Sequence, residues 1–215
     1  GGAGINVLAR CAGAKVKVVD VGVADETLVH QNLISRKVRL ATANMTKGPA
    51  MSREEALQAL KIGIEIAEGE IDQGINLLAT GEMGIGNTTP SSAILAVYSH
   101  ADLSTIVGPG VGLNDAGVQR KIKAIKTALI VNQPDAADPI EVLAKVGGLE
   151  LAAMAGLILG SALRQVPVVL DGFISGAAAL IACKIAPQVK DYIIASHLSE
   201  EPGHKLVLDT IGLEP

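Results

Sequence analysis

An α/β domain built on a mainly parallel sheet is the architecture this chain predicts, and three observations carry the prediction. Short apolar runs rich in β-branched residues alternate with longer stretches of helical periodicity, the pattern of strands joined through crossover helices. An acid, a glycine or a serine recurs just past the carboxyl end of the runs, at Asp20, Glu82, Gly108, Asp171 and Ser196. Nothing resembling a flexible linker, a repeat or a low-complexity tract divides the 215 residues. A single large domain is expected, because chain length over about 150 is only a soft guide to domain number.

The elements follow in order. Lys15-Val16-Lys17-Val18-Val19-Asp20-Val21 is a strand by its β-branched residues, with an acid at its carboxyl end. Ser52 followed by Glu54, Glu55 and Ala56 predicts a helix with a serine cap and acids in its first turn, its pattern continuing through Ile62, Ile66 and Ala67. Ile75 to Ala79 predicts a buried strand and Ala93 to Tyr98 the opening of a helix. Leu103 to Val107 predicts a further strand ahead of a glycine loop, and Asp115 to Val131 a helix. Leu149 to Leu163 is the most apolar stretch, but Glu150, Gly156, Gly160 and Ser161 interrupt it. It is too short to span a bilayer, so a buried helix is expected there. Pro167 to Leu170 predicts a short strand ending at Asp171, and Asp191 to Ala195 another ending at Ser196 and His197. Helices flanking such a sheet make a Rossmann-like three-layer arrangement, whose ligands gather outside the carboxyl ends of the strands.

Composition narrows the partners. With 49% hydrophobic and 19% charged residues the chain can bury a sizeable core. One Phe, two Tyr and no Trp leave no stacking platform for bases. A net charge of −4 also argues against nucleic acid, which requires a basic face. Small molecules or protein are the expected partners, with no membrane. Cys11 and Cys183 lie far apart at no metal-ligand spacing, which predicts buried, reduced thiols in a cytoplasmic protein without a signal peptide. His30, His100, His197 and His204 include no pair at helical metal spacing, so neither a metal nor another cofactor is expected.

The most informative segment is Thr80-Gly81-Glu82-Met83-Gly84-Ile85-Gly86-Asn87-Thr88-Thr89-Pro90-Ser91-Ser92. Gly84 and Gly86 let a backbone approach a ligand, and the helix that follows points unpaired N–H groups and its positive dipole end toward an anion. It lacks the Gly-Lys-Ser/Thr ending of a P-loop and the dinucleotide glycine spacing. Glu82 would repel a phosphate, so it faces a sugar hydroxyl or a cationic ring instead. The plainer alternative is a strand-to-helix turn capped by Asn87 or Thr88. Gly108-Pro109-Gly110-Val111-Gly112-Leu113-Asn114-Asp115 forms a second glycine loop, although capping by Asn114 or Asp115 would explain it, and Lys121 would then be a solvated lysine. Asp171-Gly172-Phe173-Ile174-Ser175-Gly176 repeats the pattern of strand, acid, glycine and helix, and residues 196–204 are dense in hydrogen-bonding groups. A serine hydrolase is excluded by the lack of a Gly-x-Ser-x-Gly elbow.

Gly81 to Pro90 resembles the signature of the nicotinate-nucleotide-dimethylbenzimidazole phosphoribosyltransferase family. Gly1 to Arg10, Val18 to Val23, Gly48 to Met51, Asp171 to Ser175 and Ser199 to His204 resemble further family segments, in family order, so the likeness covers essentially the whole chain. The resemblance implies transfer of a phosphoribosyl group from nicotinate mononucleotide to a benzimidazole nitrogen, with release of nicotinate. The leaving group is already a cationic pyridinium, so no acid and no metal are needed. A grip on the 5′-phosphate, alignment of the rings and a base for the benzimidazole proton are what remain for the protein to supply.

By the same resemblance Glu82 is an acid near the ribose and the reacting centre, where it positions and stabilises charge. Gly84, Gly86, Asn87 and Thr88 form the nucleotide-binding loop, and Gly108, Gly110 and Gly112 a second one. Pro109 and Val111 depart there from the arginine and threonine of the family. Lys121, Asp171, Gly172, Ser196 and Ser199 match positions lining the same cleft. The resemblance also implies a homodimer. It further implies a fragment shortened at both ends, since the general base is a glutamate in a Gly-Glu-Gly motif that would lie beyond Pro215, and Glu214 stands in the wrong context to replace it. Weak nucleotide binding and little or no turnover are the expectation. A transferase using another lower-ligand base and a non-catalytic nucleotide-binding module are the alternatives.

Overall fold

The computed structural model describes residues 3–215, so Gly1 and Gly2, the start of the first resemblance segment, lie outside the described residues. Helix α1 (Gly4–Ala12) leads to two short parallel strands, β1 (Val18–Asp20) and β2 (Leu33–Ser35). Helix α2 (Arg53–Asp72) follows, then β3 (Leu78–Ala79), α3 (Thr88–Ser99), α4 (Leu103–Ile106) and α5 (Asp115–Asn132). Two further helices, α6 (Pro139–Val146) and α7 (Leu149–Leu163), precede β4 (Val168–Leu170) and α8 (Phe173–Ile185). A 3₁₀ turn at Pro187–Tyr192, β5 (Ile193–Ala195) and α9 (Gly203–Ile211) end the order.

Among the described residues the strands form two sheets, β1-β2 and β3-β4-β5, and every pairing is parallel. The expected α/β architecture is present, with much shorter strands than the apolar runs suggested. Of Ile75 to Ala79 only Leu78 and Ala79 pair, opposite Val168 and Val169. Of Lys15 to Val21 only the three residues of β1 pair, and the Asp191 run is half consumed by the 3₁₀ turn that Pro187 opens. Helices therefore carry most of the core. β4 lies between its neighbours with Val168 and Leu170 buried, and α8 behind it is buried from Phe173 through Ala182.

Capping follows the sequence. Ser52 accepts from Glu55 N–H while the Glu55 carboxylate takes Ser52 N–H at 2.8 Å, a complete capping box for α2. Asn114 caps α5 through Gly117 N–H, and Asp138 caps α6 ahead of Pro139. Leu149 to Leu163 is the buried helix expected, packed along α2 with glycines at the closest approach.

Three expectations need correction. Leu103 to Val107 is not a strand: the Asp102 carboxylate accepts from both N–H and Oγ–H of Ser104 at 2.7 Å, and Thr105 Oγ1 donates to Asp102 O. These local bonds close a helical turn that a short β-branched run cannot overcome. Cys11 is exposed rather than buried, and Cys183 is partly buried, with burial pushing its thiol up to about 11. Asp20 belongs to the separate β1-β2 sheet, where its Oδ1 accepts from Gly22 and Val23 N–H and its charge pairs with Lys37. Burial opposes its ionisation, but Lys37 and the two backbone donors outweigh it and hold the carboxyl below the usual range.

Candidate active site

The loop from β3 to α3 is organised around Glu82. Gly84 and Gly86 adopt φ of +74° and +79°, a left-handed backbone that other residues adopt only with strain. That path folds the segment back so that Glu82 Oε2 accepts from Gly84 N–H and, at 2.8 Å, from Asn87 Nδ2. Asn87 stands at the N-cap of α3 but makes no side-chain cap bond. Its amide serves Glu82 instead, leaving the first-turn N–H groups of α3 open to an anion. Thr80 ties this loop to the next strand, donating N–H to Val169 O at 3.0 Å and accepting from Asp171 N–H at 3.4 Å.

The second glycine loop joins the first through Lys121. This side chain of α5 is only 6% exposed, and its ammonium donates to Thr88 Oγ1 at 2.7 Å and to Gly108 O at 3.0 Å. Burial holds its pKa below the ordinary lysine value, against a smaller upward pull from the charge of Glu201. Gly110, at φ +55°, donates N–H to Glu201 Oε1 at 3.0 Å. A Cβ on Gly110 would come within 3.0 Å of Thr88 Oγ1 and 3.8 Å of Lys121 Nζ. The loop thus lies directly over the lysine, which is no solvated surface residue. Gly112, at φ +83°, closes the turn by donating N–H to Gly110 O at 2.9 Å.

The third edge comes from the loops after β4 and β5. Gly172 opens α8 without a side-chain cap, and a Cβ there would sit 3.5 Å from Ser199 Cβ. Ser199 donates N–H to His204 Nδ1 at 2.8 Å, and His204 is fully buried. An accepting Nδ1 places the neutral ring's proton on Nε2. Burial, then the neighbouring His197, lowers the His204 pKa and favours that neutral form, against a smaller pull from Asp171. Ser196 is exposed and engages His197 Nδ1 at 2.8 Å, so it sits at the rim.

Three acceptor or hydroxyl oxygens in this region, Asn87 Oδ1, Ser199 Oγ and Glu201 Oε2, are buried with no hydrogen-bond partner among the described residues. Buried polar atoms are ordinarily paired, so these three oxygens, beside the two glycine loops and Gly172, are open to a polar ligand. Among the described residues no cluster of three His, Cys, Asp or Glu side chains could hold a metal ion. A groove of about 450 Å³ between β2 and α2 lies away from these loops, and its cations Arg36, Lys37 and Lys61 already pair with Glu65 and Asp20.

Four residues here escaped sequence reasoning as site members: Thr80, Glu150, Glu201 and His204. Glu150, in the first turn of α7, interacts with Asn87 and Glu82, and burial followed by the Glu82 charge raises its pKa. The available signal was an acid interrupting the most apolar stretch of the chain. Glu201 and His204 stood within a loop already noted for its density of polar groups. The apolar side chains of Met83 and Ile85, on the Glu82 loop, and Val111, on the second glycine loop, are each about four-fifths exposed.

The chemistry available is that of an anion held by backbone N–H groups and one buried ammonium, beside a carboxylate and exposed apolar side chains. Comparisons with known proteins give the family. A family model described as DBI_PRT, phosphoribosyltransferase, matches residues 1–215. A nicotinate-nucleotide-dimethylbenzimidazole phosphoribosyltransferase of Desulforudis audaxviator is 56% identical over 215 residues, 100% of this chain and 61% of that protein. The protein of the same name from Geobacter sulfurreducens is 54% identical over the same shares. The crystal structure of CobT from Thermus thermophilus matches with a TM-score of 0.94 at 46% identity, over 100% of this chain and 64% of that one. The chain spans about three-fifths of the length of these curated relatives. Matched along its whole length by the family model, and identical to a named relative at more than half its positions, the chain belongs to the DBI_PRT phosphoribosyltransferase family.

Proposed function

We propose that residues 1–215 form a single nucleotide-binding domain of an enzyme that moves phosphoribose from nicotinate mononucleotide to 5,6-dimethylbenzimidazole. The products are α-ribazole 5′-phosphate and nicotinate, as required for assembling the nucleotide loop of cobalamin. One observation carries the reading: the buried Lys121 ammonium joins Thr88 at the N-terminus of α3 to the carbonyl of Gly108, so that two glycine loops and one cation face the same place. Two of the three ammonium donors serve those bonds and the third is left for a phosphate oxygen. Support for one domain comes from a hydrophobic core that runs without a break from Val21 to Ile211.

In this reading the 5′-phosphate lies against Lys121 and the glycine loops, and Glu82 stands near the ribose beside the pyridinium ring. When the bond from C1′ to the pyridinium nitrogen breaks, its electron pair neutralises the ring, so the positive charge near Glu82 passes to the sugar as the transition state forms. A fixed carboxylate stabilises that developing charge. The benzimidazole nitrogen attacks the opposite face and inverts the anomeric carbon. Met83 and Ile85 offer it an apolar surface. The proton it loses needs a base, for which the family resemblance implies a Gly-Glu-Gly glutamate. Binding and alignment of the substrates are the roles proposed for residues 1–215. Homodimer formation and a cytoplasmic location are also inferred, the first by resemblance and the second from two cysteines that stand unpaired.

Calorimetric titration with nicotinate mononucleotide tests the pocket. Saturable binding is expected, weakened at least about tenfold in Glu82→Ala, in line with loss of one charge-assisted contact. Absence of binding heat in the parent, or equal affinity in the variant, overturns the assignment. A second reading is a nucleotide-binding module without turnover. Nicotinate release in the presence of dimethylbenzimidazole separates the two, and sustained turnover by this chain would show that the base lies within it.

A further inference from the structure

We propose that Glu201 is a positioning residue of the nucleotide site: one carboxylate oxygen fixes Gly110, and the charge of the other keeps Lys121 an anion-binding ammonium. The inference rests on the nucleotide-binding reading of the site and deepens it. Glu201 reaches the glycine loop from the segment between β5 and α9, 91 positions away in sequence, and its Oε1 takes the Gly110 N–H at 3.0 Å. Its other oxygen lies against Gly108, where a Cβ would overlap Oε2 and approach Pro202 Cδ to 2.6 Å. Gly108 therefore lacks a side chain because a carboxylate occupies the space. A loop that served only to cap α5 would have no such need, since Asn114 already caps it.

Oε2 is buried and without a hydrogen-bond partner among the described residues. An unpaired buried carboxylate oxygen is costly unless its charge does something. The groups facing the Lys121 ammonium are Thr88 from α3, the carbonyl of Gly108 from the loop, and Glu201 from the segment before α9. Of these only Glu201 is charged. Removing an ammonium from water favours the neutral amine, which would be a poor phosphate ligand, and Glu201 opposes that shift through space.

The test titrates the 215-residue chain with nicotinate mononucleotide between about pH 7 and pH 9.5, with nicotinate riboside as the ligand without phosphate. Glu201→Gln keeps an acceptor for Gly110 N–H and removes only the charge. The parent should lose mononucleotide affinity on the alkaline side as Lys121 deprotonates. In Glu201→Gln that limb should move to lower pH, so that affinity falls further between about pH 7 and pH 9 than it does in the parent. Riboside binding should keep the same pH profile in both. A coincident alkaline limb overturns the proposal, as does an equal loss for both ligands at every pH, the mark of a merely structural role. If Glu201→Gln does not fold, Lys121→Arg tests the premise that Lys121 is the titrating group. Arginine does not titrate in this range, so the limb should vanish, and its persistence overturns the proposal. A parent that binds no mononucleotide at any pH sinks the nucleotide-binding reading itself, a result distinct from these.

Discussion

Glu150 shows what a single residue in the wrong solvent does to the whole. Its carboxyl is desolvated at the start of α7 and faces Glu82, and both influences raise its pKa. The folded protein thus holds the Glu150 proton to higher pH than the unfolded chain does. Stability from this group is complete at and below its ordinary pKa and is lost as pH rises through the folded value. Glu150→Gln removes the penalty, and its amide can donate to the otherwise unpaired Asn87 Oδ1. Melting curves of the variant and the parent should coincide near the ordinary glutamate pKa and separate in favour of the variant toward pH 8; a parent that stays the more stable at pH 8 contradicts the account. Sequence alone made Glu82 and the glycines conspicuous because they sit together in one string. The roles of Glu150 and Glu201 were not legible because they lie in partners contributed by other elements, and Lys121 was placed at the cleft by resemblance alone, since the residues around it in sequence equally fit a solvated lysine.

At the scale of elements, helices were more legible than strands for a physical reason. Capping boxes and a 3.6-residue period are local, and Ser52, Asn114 and Leu149 mark the starts of α2, α5 and α7 as the sequence implies. Strand pairing is not local, and an apolar run cannot say how many of its residues find a partner. The Leu103 run failed for the same reason, since Asp102 offered it nearer bonds. The glycines that broke the apolar run of α7 are what allow it to lie against α2. A Cβ on Gly156 would overlap Leu60 O and come 2.7 Å from Leu60 C, and one on Gly63 would overlap Ala153 O and come 2.7 Å from Leu157 N. Both faces of the contact are backbone, which cannot rotate away. Gly156→Ala and Gly63→Ala should each cost ~3 kcal/mol despite the higher helix propensity of alanine. A rise in Tm, or no change, in either variant would show that the two helices can separate cheaply.

For the whole molecule, the position of the site fixes how ligand binding must couple to stability. The groups around it come from the β3-α3 loop, the loop before α5, the Lys121 side chain and the turns after β4 and β5, drawn from residues 80–204. These segments are held to one another by a few long-range bonds such as Gly110 to Glu201 and Thr80 to Asp171. A ligand contacting several of them at once binds only the folded arrangement, so its binding energy adds to global stability. At a nucleotide concentration of 100 times Kd the gain is about 2.7 kcal/mol. For a chain of this length that corresponds to a rise in Tm of roughly 5–10 °C. Nicotinate mononucleotide should produce that shift in the parent and none in Lys121→Met, whose side chain fills similar space without a charge for the phosphate. Differential scanning fluorimetry across a nucleotide series reads it directly. A parent Tm that does not move at concentrations where calorimetry detects binding would mean that the nucleotide binds the unfolded chain as well as the folded one. The groups gathered here from distant segments would then not be its binding site.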